Sequence, residues 1–282
     1  MYQIVTRREL NPTVTQLEVL APLVARKAKA GQFIILRVDE DGERIPLTVA
    51  ACNKKTGAVK IIFQVVGATT EKLNHKKEGE YIQDFVGPLG KPTRTEGIKK
   101  VCIVGGGVGC AIALPVAQAF KDLGAEVTSI IGFRSKDLLI LEEEFKEASK
   151  ELVVMSDDGS YGRHGNVTVP LKEMLEAGKQ FDEIITIGPL IMMKFVTLTA
   201  KPFGVPVTVS MNPIMIDGTG MCGCCRLTLV KDDKRITKFA CVDGPDFNGY
   251  EVDFDESMSR GRMYFPFERK AHEETCNLFK QA

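Results

Sequence analysis

Hydrophobic and polar positions alternate in short runs over the first third of the chain, at 3–6, 13–20, 32–38, 47–51, 59–66 and 81–86. Asp41-Gly42 and Thr56-Gly57 punctuate them, which is the grammar of a small antiparallel barrel of Greek-key type. A single stretch there, 69–77, has helical spacing. From 98 onward the period changes. Apolar strands at 101–104, 127–131, 152–155, 184–187 and 207–209 alternate with helical stretches at 113–123, 138–150, 169–177 and 190–201. That alternation predicts a five-stranded parallel sheet, doubly wound, with helices on both faces. Beyond 210 it stops, and a Gly- and Cys-rich segment leads into a polar tail. The expected organisation is therefore β-barrel plus α/β: a barrel at 1–96, a nucleotide-binding α/β domain at 97–209, a metal-binding segment at 210–250 and a tail at 251–282. Neither of the last two segments holds enough apolar residues for a core of its own, so their order is expected to come from a metal centre or from docking.

Composition narrows the function classes. At 282 residues and 44% hydrophobic, the chain can fill two ordinary cores. Basic and acidic residues balance at 37 each, leaving no net field to attract nucleic acid or anionic lipid. The start has no basic stretch followed by an apolar run, so a cytoplasmic location is expected. The uncharged run 101–120 has nearly the length of a membrane span. It carries Gly105, Gly106, Gly107, Gly109 and Pro115, which suit a strand, a turn and a helix, and no membrane association is expected. In a cytoplasmic setting eight cysteines are not a disulfide framework. Four of them, Cys222, Cys224, Cys225 and Cys241, crowd one region.

That region carries the strongest chemistry. Asp217, Cys222, Cys225 and Cys241 read as D-x4-C-x2-C-x15-C, the spacing of plant-type [2Fe-2S] proteins with aspartate in the first position. Glycines at 218, 220 and 223 let such a loop wrap a cluster and turn backbone N–H groups towards its sulfurs. Zinc is the competing metal, although its structural sites take two close ligand pairs and Cys241 has no near partner in sequence. Unliganded thiols are the plain alternative, and for Asp217 the plain role is a turn residue before Gly218. Cys224 is expected to point away when 222 and 225 point inward.

The second signal is the turn Gly105-Gly106-Gly107-Val108-Gly109 after an apolar strand and before a helix. Such a turn lets a pyrophosphate approach the backbone at a positive helix end, while its plain alternative is a tight connection. The next strand ends at Arg134 and not at the acidic residue that holds a ribose hydroxyl in ordinary dehydrogenases. Two more strand ends on the same edge, Asp157-Asp158-Gly159 and Gly188-Pro189 with Met192, favour a nicotinamide pocket, their plain alternatives being turns and a core methionine. In the barrel region, Arg44, Pro46, Leu47 and Thr48 place a cation and a hydroxyl around a proline, suited to a pyrophosphate and a flavin ring nitrogen, although taken alone the stretch reads as a surface turn. Phe63, Gln64, Val65, Gly67, Thr69 and Thr70 end a strand at a helix start, either a phosphate seat or a helix cap. His75, His164 and His272 stand in no arrangement suited to nucleophilic catalysis.

In this order the motifs resemble the ferredoxin-NADP reductase superfamily, in its branch of electron-transfer subunits serving dihydroorotate dehydrogenase and NADH-dependent reduced ferredoxin:NADP oxidoreductase. The most specific stretch runs from Asn212 to Arg226, followed by Phe239-Ala240-Cys241-Val242-Asp243-Gly244-Pro245. The aspartate at 217 sides with the ferredoxin:NADP oxidoreductase type, and the dihydroorotate type looks like a four-cysteine protein. Arg44 stands four residues before Thr48, one more than in plant-type reductases. The resemblance implies FAD between barrel and nucleotide domain, NAD(H) stacked on the flavin and a [2Fe-2S] cluster. It also implies a larger partner subunit with FAD and [4Fe-4S] clusters, through which ferredoxin is reached while this chain serves the NAD branch. No side chain is expected to act as acid or base, because the flavin does the chemistry. A zinc-stabilised nucleotide-binding redox sensor is the reading from another class.

Overall fold

The computed structural model describes residues 1–281, and of 272 and 275–281 the backbone only, so the side chains of His272 and Cys276 lie outside the described residues. The N-terminal third of the chain is one seven-stranded antiparallel sheet curled into a near-closed barrel. In chain order it contains β1 (Tyr2–Asn11), β2 (Val14–Leu20), α1 (Pro22–Lys27), β3 (Phe33–Arg37), β4 (Arg44–Asn53), β5 (Ala58–Gln64), α2 (Ala68–Asn74), β6 (Tyr81–Ile82) and β7 (Asp84–Leu89). The strands are ordered β6-β1-β2-β5-β4-β3-β7. Ile4, Leu17, Ile34, Leu36, Ile61, Phe63 and Phe85 fill its interior.

Two features of the barrel depart from the sequence pattern. The chain at 22–27 is helical: Pro22 sits in the first turn, where its missing N–H costs nothing, and Val24 and Ala25 are buried. The run 81–86 is two strands, because Gln83 turns its N–H to the carbonyls of Arg37 and Val38 and interrupts the ladder.

The second module is a sheet ordered β11-β10-β9-β8-β12-β13-β16. Its elements are β8 (Lys100–Gly106), α3 (Gly109–Asp122), β9 (Glu126–Phe133), α4 (Glu142–Ala148), β10 (Glu151–Ser156), β11 (Arg163–His164), α5 (Thr168–Glu176), β12 (Glu183–Ile187), α6 (Leu190–Ala200) and β13 (Val207–Ser210). The five expected strands form the parallel centre, and the order reverses between β8 and β12. Their apolar runs are continuous because helices cover both faces. The helix expected at 138–150 is confined to α4, preceded by a short 3-10 turn at Lys136–Leu138. The helix expected from 113 already begins at Gly109, as α3. Thus 101–120 is strand, turn and helix, and among the described residues no helix is long and apolar enough to cross a membrane.

The remaining chain forms a hairpin of β14 (Arg226–Lys231) and β15 (Lys234–Phe239), then α7 (Ala240–Asp243), β16 (Asp246–Asn248), α8 (Phe254–Gly261) and α9 (Phe265–Gln281). Strand β16 adds antiparallel to β13 at the edge of the nucleotide-domain sheet. The segment's apolar residues, among them Cys225, Leu227, Cys241, Phe247 and Phe254, share one core with Ile184 and Val209 of the sheet, with Val196 of α6 and with Phe33 and Ile35 of the barrel. Its order therefore comes from docking onto both larger modules. Strand β3 explains how one barrel strand serves both: Ile34 and Leu36 point into the barrel, whereas Phe33 and Ile35 point out beneath the Cys-rich segment.

Candidate nucleotide cleft and metal loop

The carboxyl ends of all five parallel strands open into a cleft of about 890 Å³. Its floor is Gly106–Gly109 after β8 and Ile187–Pro189 with Met192 after β12, at the point where strand order reverses. Phe133 and Arg134 after β9, Asp157 after β10, and Ser210 and Asn212 after β13 complete the sheet side. The barrel supplies the opposing wall with Asn11, Thr13, Val14, Gln64 and Val66. Register brings these together, since Val14 pairs with Gln64 and Val65 donates its N–H to Thr13 O at 2.8 Å. Asn11 Nδ2 then donates to Leu138 O at 3.1 Å, and Val14, Ala50 and Ile62 pack into the core of the nucleotide domain.

The glycine turn leaves its backbone bare towards this cleft. Gly107 N–H donates to Gly132 O, and α3 opens with Cys110 N–H on Gly107 O. A Cβ on Gly109 would lie 2.5 Å from Ile187 O, and one on Gly106 would lie 2.4 Å from Met192 Sδ. At Gly106 the Met192 side chain would have to move, whereas at Gly109 the obstacle is backbone, so the helix start is held against the end of β12 with the peptide groups accessible to a phosphate. A pyridine or flavin nucleotide fits this donor set: a helix start for phosphate, apolar Ile187 and Met192 for a ring, and two walls from different modules.

The expected site residues divide clearly. Gln64, Gly106, Gly107, Val108, Gly109, Arg134, Asp157, Gly188, Pro189 and Met192 line the cleft together. Gly105 lies one residue back, its Cβ position 3.0 Å from Cys110 Sγ. Asp158 is turned away, its carboxylate accepting from Ser160 N (2.9 Å) and Ser160 Oγ (2.6 Å), bonds that hold it below the usual carboxylate range. Thr70 Oγ1 accepts from Val66 N and Gly67 N at 3.0 Å each, which is the capping role, and Thr69 donates to Glu43. Phe63 is buried inside the barrel, with Val65 and Leu47 packed against the same core. Because Ile45 and Leu47 face that core, strand alternation puts Arg44, Pro46 and Thr48 on the outer face of β4. Asn11, Thr13, Asn166, Thr168, Ser210 and Asn212 were not expected in the cleft, and of these only the turn Asn11-Pro12-Thr13 carried a local signal.

The metal loop lies farther round the outer face of the barrel, over β3 and β7. Cys225 and Cys241 are buried with their Sγ atoms 3.1 Å apart and no disulfide between them. Burial, then the hydrogen bond with Cys225, pushes the Cys241 thiol up to about 12. Cys222 is exposed, and backbone N–H donors, that of Cys224 foremost, lower its pKa. Cys224 is half-buried, with its thiol raised by desolvation. Asp217 Oδ2 accepts from Thr219 N (2.9 Å), Thr219 Oγ1 (2.5 Å) and Met221 N (3.2 Å), which holds its carboxyl low. Among the described residues no three His, Cys, Asp or Glu side chains converge as a preformed metal site. The loop thus brings two of the four expected ligands, Cys225 and Cys241, into contact. The donor chemistry nevertheless fits an iron–sulfur cluster: soft sulfurs at close approach, a third thiol acidified by N–H groups, and a carboxylate kept ionised.

An antiparallel barrel facing the switch-point cleft of a doubly wound sheet is the architecture of ferredoxin-NADP reductase-like oxidoreductases, here extended by a cysteine-rich segment. Residues 212–253 match the family model for the iron-sulfur cluster binding domain of dihydroorotate dehydrogenase B. A dihydroorotate dehydrogenase B (NAD(+)) electron transfer subunit homolog from Thermotoga maritima is 47% identical over 96% of this chain and 94% of its own. The corresponding electron transfer subunit from Desulforamulus reducens is 31% identical over 86% and 93%. A solved structure of NADH-dependent reduced ferredoxin-NADP oxidoreductase, described for flavin-based electron bifurcation, is 44% identical with a TM-score of 0.89 and covers 97% of each chain. The chain belongs to the family of dihydroorotate dehydrogenase B electron-transfer subunits and their homologues.

Proposed function

We propose that this chain is the pyridine-nucleotide-side subunit of a cytoplasmic flavin iron–sulfur oxidoreductase, exchanging electrons between NAD(H), FAD and a [2Fe-2S] cluster and passing them to a larger flavin- and iron–sulfur-carrying subunit. One observation carries this reading: the switch-point cleft and the cysteine loop are both built on the outer face of one barrel, the first over β2 and β5 and the second over β3 and β7, so a nucleotide site and a one-electron centre share a rigid support. Bound flavin supplies the step from two-electron hydride chemistry to one-electron transfer. The chain's own residues bind and orient: the Gly106–Gly109 turn takes phosphate, and Gly188, Pro189 and Met192 form an apolar seat for a nicotinamide. Gln64 and Thr13 close the barrel side and limit water. No side chain in the cleft is assigned a proton transfer.

For the complex that it serves, electron bifurcation is favoured over dihydroorotate oxidation. Support comes from the similarity to the ferredoxin-NADP oxidoreductase structure along the whole chain and from aspartate, not cysteine, at 217. Anaerobic purification tests the reading. The expected product is coloured, contains flavin and iron, and loses flavin absorbance on adding NADH. A colourless preparation, or one loaded with zinc, overturns it. Identification of the co-purifying subunit separates the two complexes, and a dihydroorotate dehydrogenase would overturn the preference for bifurcation.

A further inference from the structure

The sequence offers Arg44 as a cation for a flavin pyrophosphate, yet the fold commits it elsewhere. Its Nε donates to the carbonyl of Ile216 at 2.8 Å, across 172 positions of sequence and directly before Asp217. Its Nη1 lies 3.5 Å from Asp84 Oδ2, the same oxygen that Arg37 Nε reaches at 2.6 Å. Register explains the cluster, because Arg37 on β3 pairs with Arg44 on β4 and with Asp84 on β7. The guanidinium is thus held by a carboxylate between two arginines and offers its remaining edge to the metal loop. A second contact fixes that loop from below. Gly218 has φ +84°, and a Cβ there would lie 2.7 Å from Leu89 Cδ1 and 2.8 Å from Ile35 Cγ1, so the backbone beside Asp217 is pressed onto the outer face of β3 and β7. Arg44 is not among the residues lining the nucleotide cleft.

We propose that Arg44 is a positioning residue for the iron–sulfur loop: it anchors the peptide that carries Asp217 to the barrel and sets a fixed positive charge beside the cluster. This rests on the function proposed above. A cluster gains negative charge on reduction, so a neighbouring cation favours its reduced form and raises its potential. The planar fork suits the role, since it binds a carbonyl and a carboxylate at once in a fixed plane.

The test uses the full-length protein with flavin and cluster in place, comparing wild type with Arg44→Gln and Arg44→Lys. Flavin and iron contents are measured, and the cluster is titrated potentiometrically with EPR detection. Arg44→Gln should keep its flavin while the cluster potential falls and the EPR line shape changes, or while cluster is lost. Arg44→Lys should recover most of the potential, because it keeps the charge, with an altered line shape because the fork is gone. Should Arg44→Gln not fold, the line shape of Arg44→Lys decides alone. Unchanged potential and spectrum would overturn the proposal. So would loss of flavin with an unaltered cluster, which would make Arg44 a flavin-phosphate ligand. Wild-type protein without iron would instead refute the functional reading itself, and that measurement is taken first.

Discussion

Two glycine-rich loops carry the chemistry proposed for this protein, and they are built on opposite principles. The turn at Gly106–Gly109 is stitched between β8 and α3, with Gly107 at φ +55° and no space for a Cβ at Gly109 beside Ile187 O. The loop from Asp217 to Cys225 has no strand or helix of its own. Its place is set by a left-handed residue at Gly218, by Arg44 and by the outer wall of the barrel. The first loop is finished by the fold before any ligand arrives. The second has, of its four expected ligands, only Cys225 and Cys241 in contact and is expected to gain its remaining convergence from a bound cluster, since ligand binding contributes to the order of such a segment. Strain or mutation should therefore act on protein stability at the first loop and on cofactor retention at the second.

The sharpest test of that contrast is Cys241→Ser. Iron content should drop by roughly tenfold or more, because an alcohol is a poor ligand to iron, while the NADH-binding cleft is kept. Parallel iron and nucleotide-binding assays check this, and equal loss of both would erase the distinction between the loops. Gly109→Ala should show the reverse. Its Cβ would meet a backbone carbonyl at 2.5 Å, so β12 or α3 must shift, at a cost of about 1–3 kcal/mol with weakened nucleotide binding and normal iron. Denaturant unfolding and a fluorescence titration measure it.

Anaerobic removal of iron should be milder. Amide exchange should rise across 212–253 and stay unchanged in β8 and α3, as mass-resolved exchange can show. Equal protection in both states would mean that the metal loop is as preformed as the glycine turn.

The smallest effect is expected at the joint between the modules. Asp246 on β16 is half-buried with its Oδ1 shielded from solvent, and desolvation raises its pKa although Thr93 Oγ1 donates to it at 2.6 Å. A carboxyl with a raised folded-state pKa gives stability that is complete below its unfolded value of about 4 and is lost as pH rises through the folded value. Asp246→Asn should therefore melt progressively higher relative to wild type as pH increases from about 4 towards neutrality. A melting-temperature difference that does not change with pH would contradict this.

Local pattern revealed much of this protein. Continuous apolar runs between helical stretches were enough to locate all five parallel strands, because a strand covered on both faces has no other composition to adopt. The spacing of Asp217, Cys222, Cys225 and Cys241 pointed to the metal segment, and glycines at 105–109 to the phosphate turn, since each is a short-range geometric requirement. What tertiary structure alone decided was which residues meet across modules. Asn11 and Thr13 reached the cleft through strand register, and Arg44 was drawn to the metal loop by Asp84 and Ile216. Thr70 went to a helix cap and Phe63 to a barrel core. Such assignments depend on partners that are distant in the chain, and a side chain's local setting is the same whichever of them it finds. Sequence spacing encodes contacts within an element or a loop, whereas the sharing of one barrel by two sites exists only once the modules have packed.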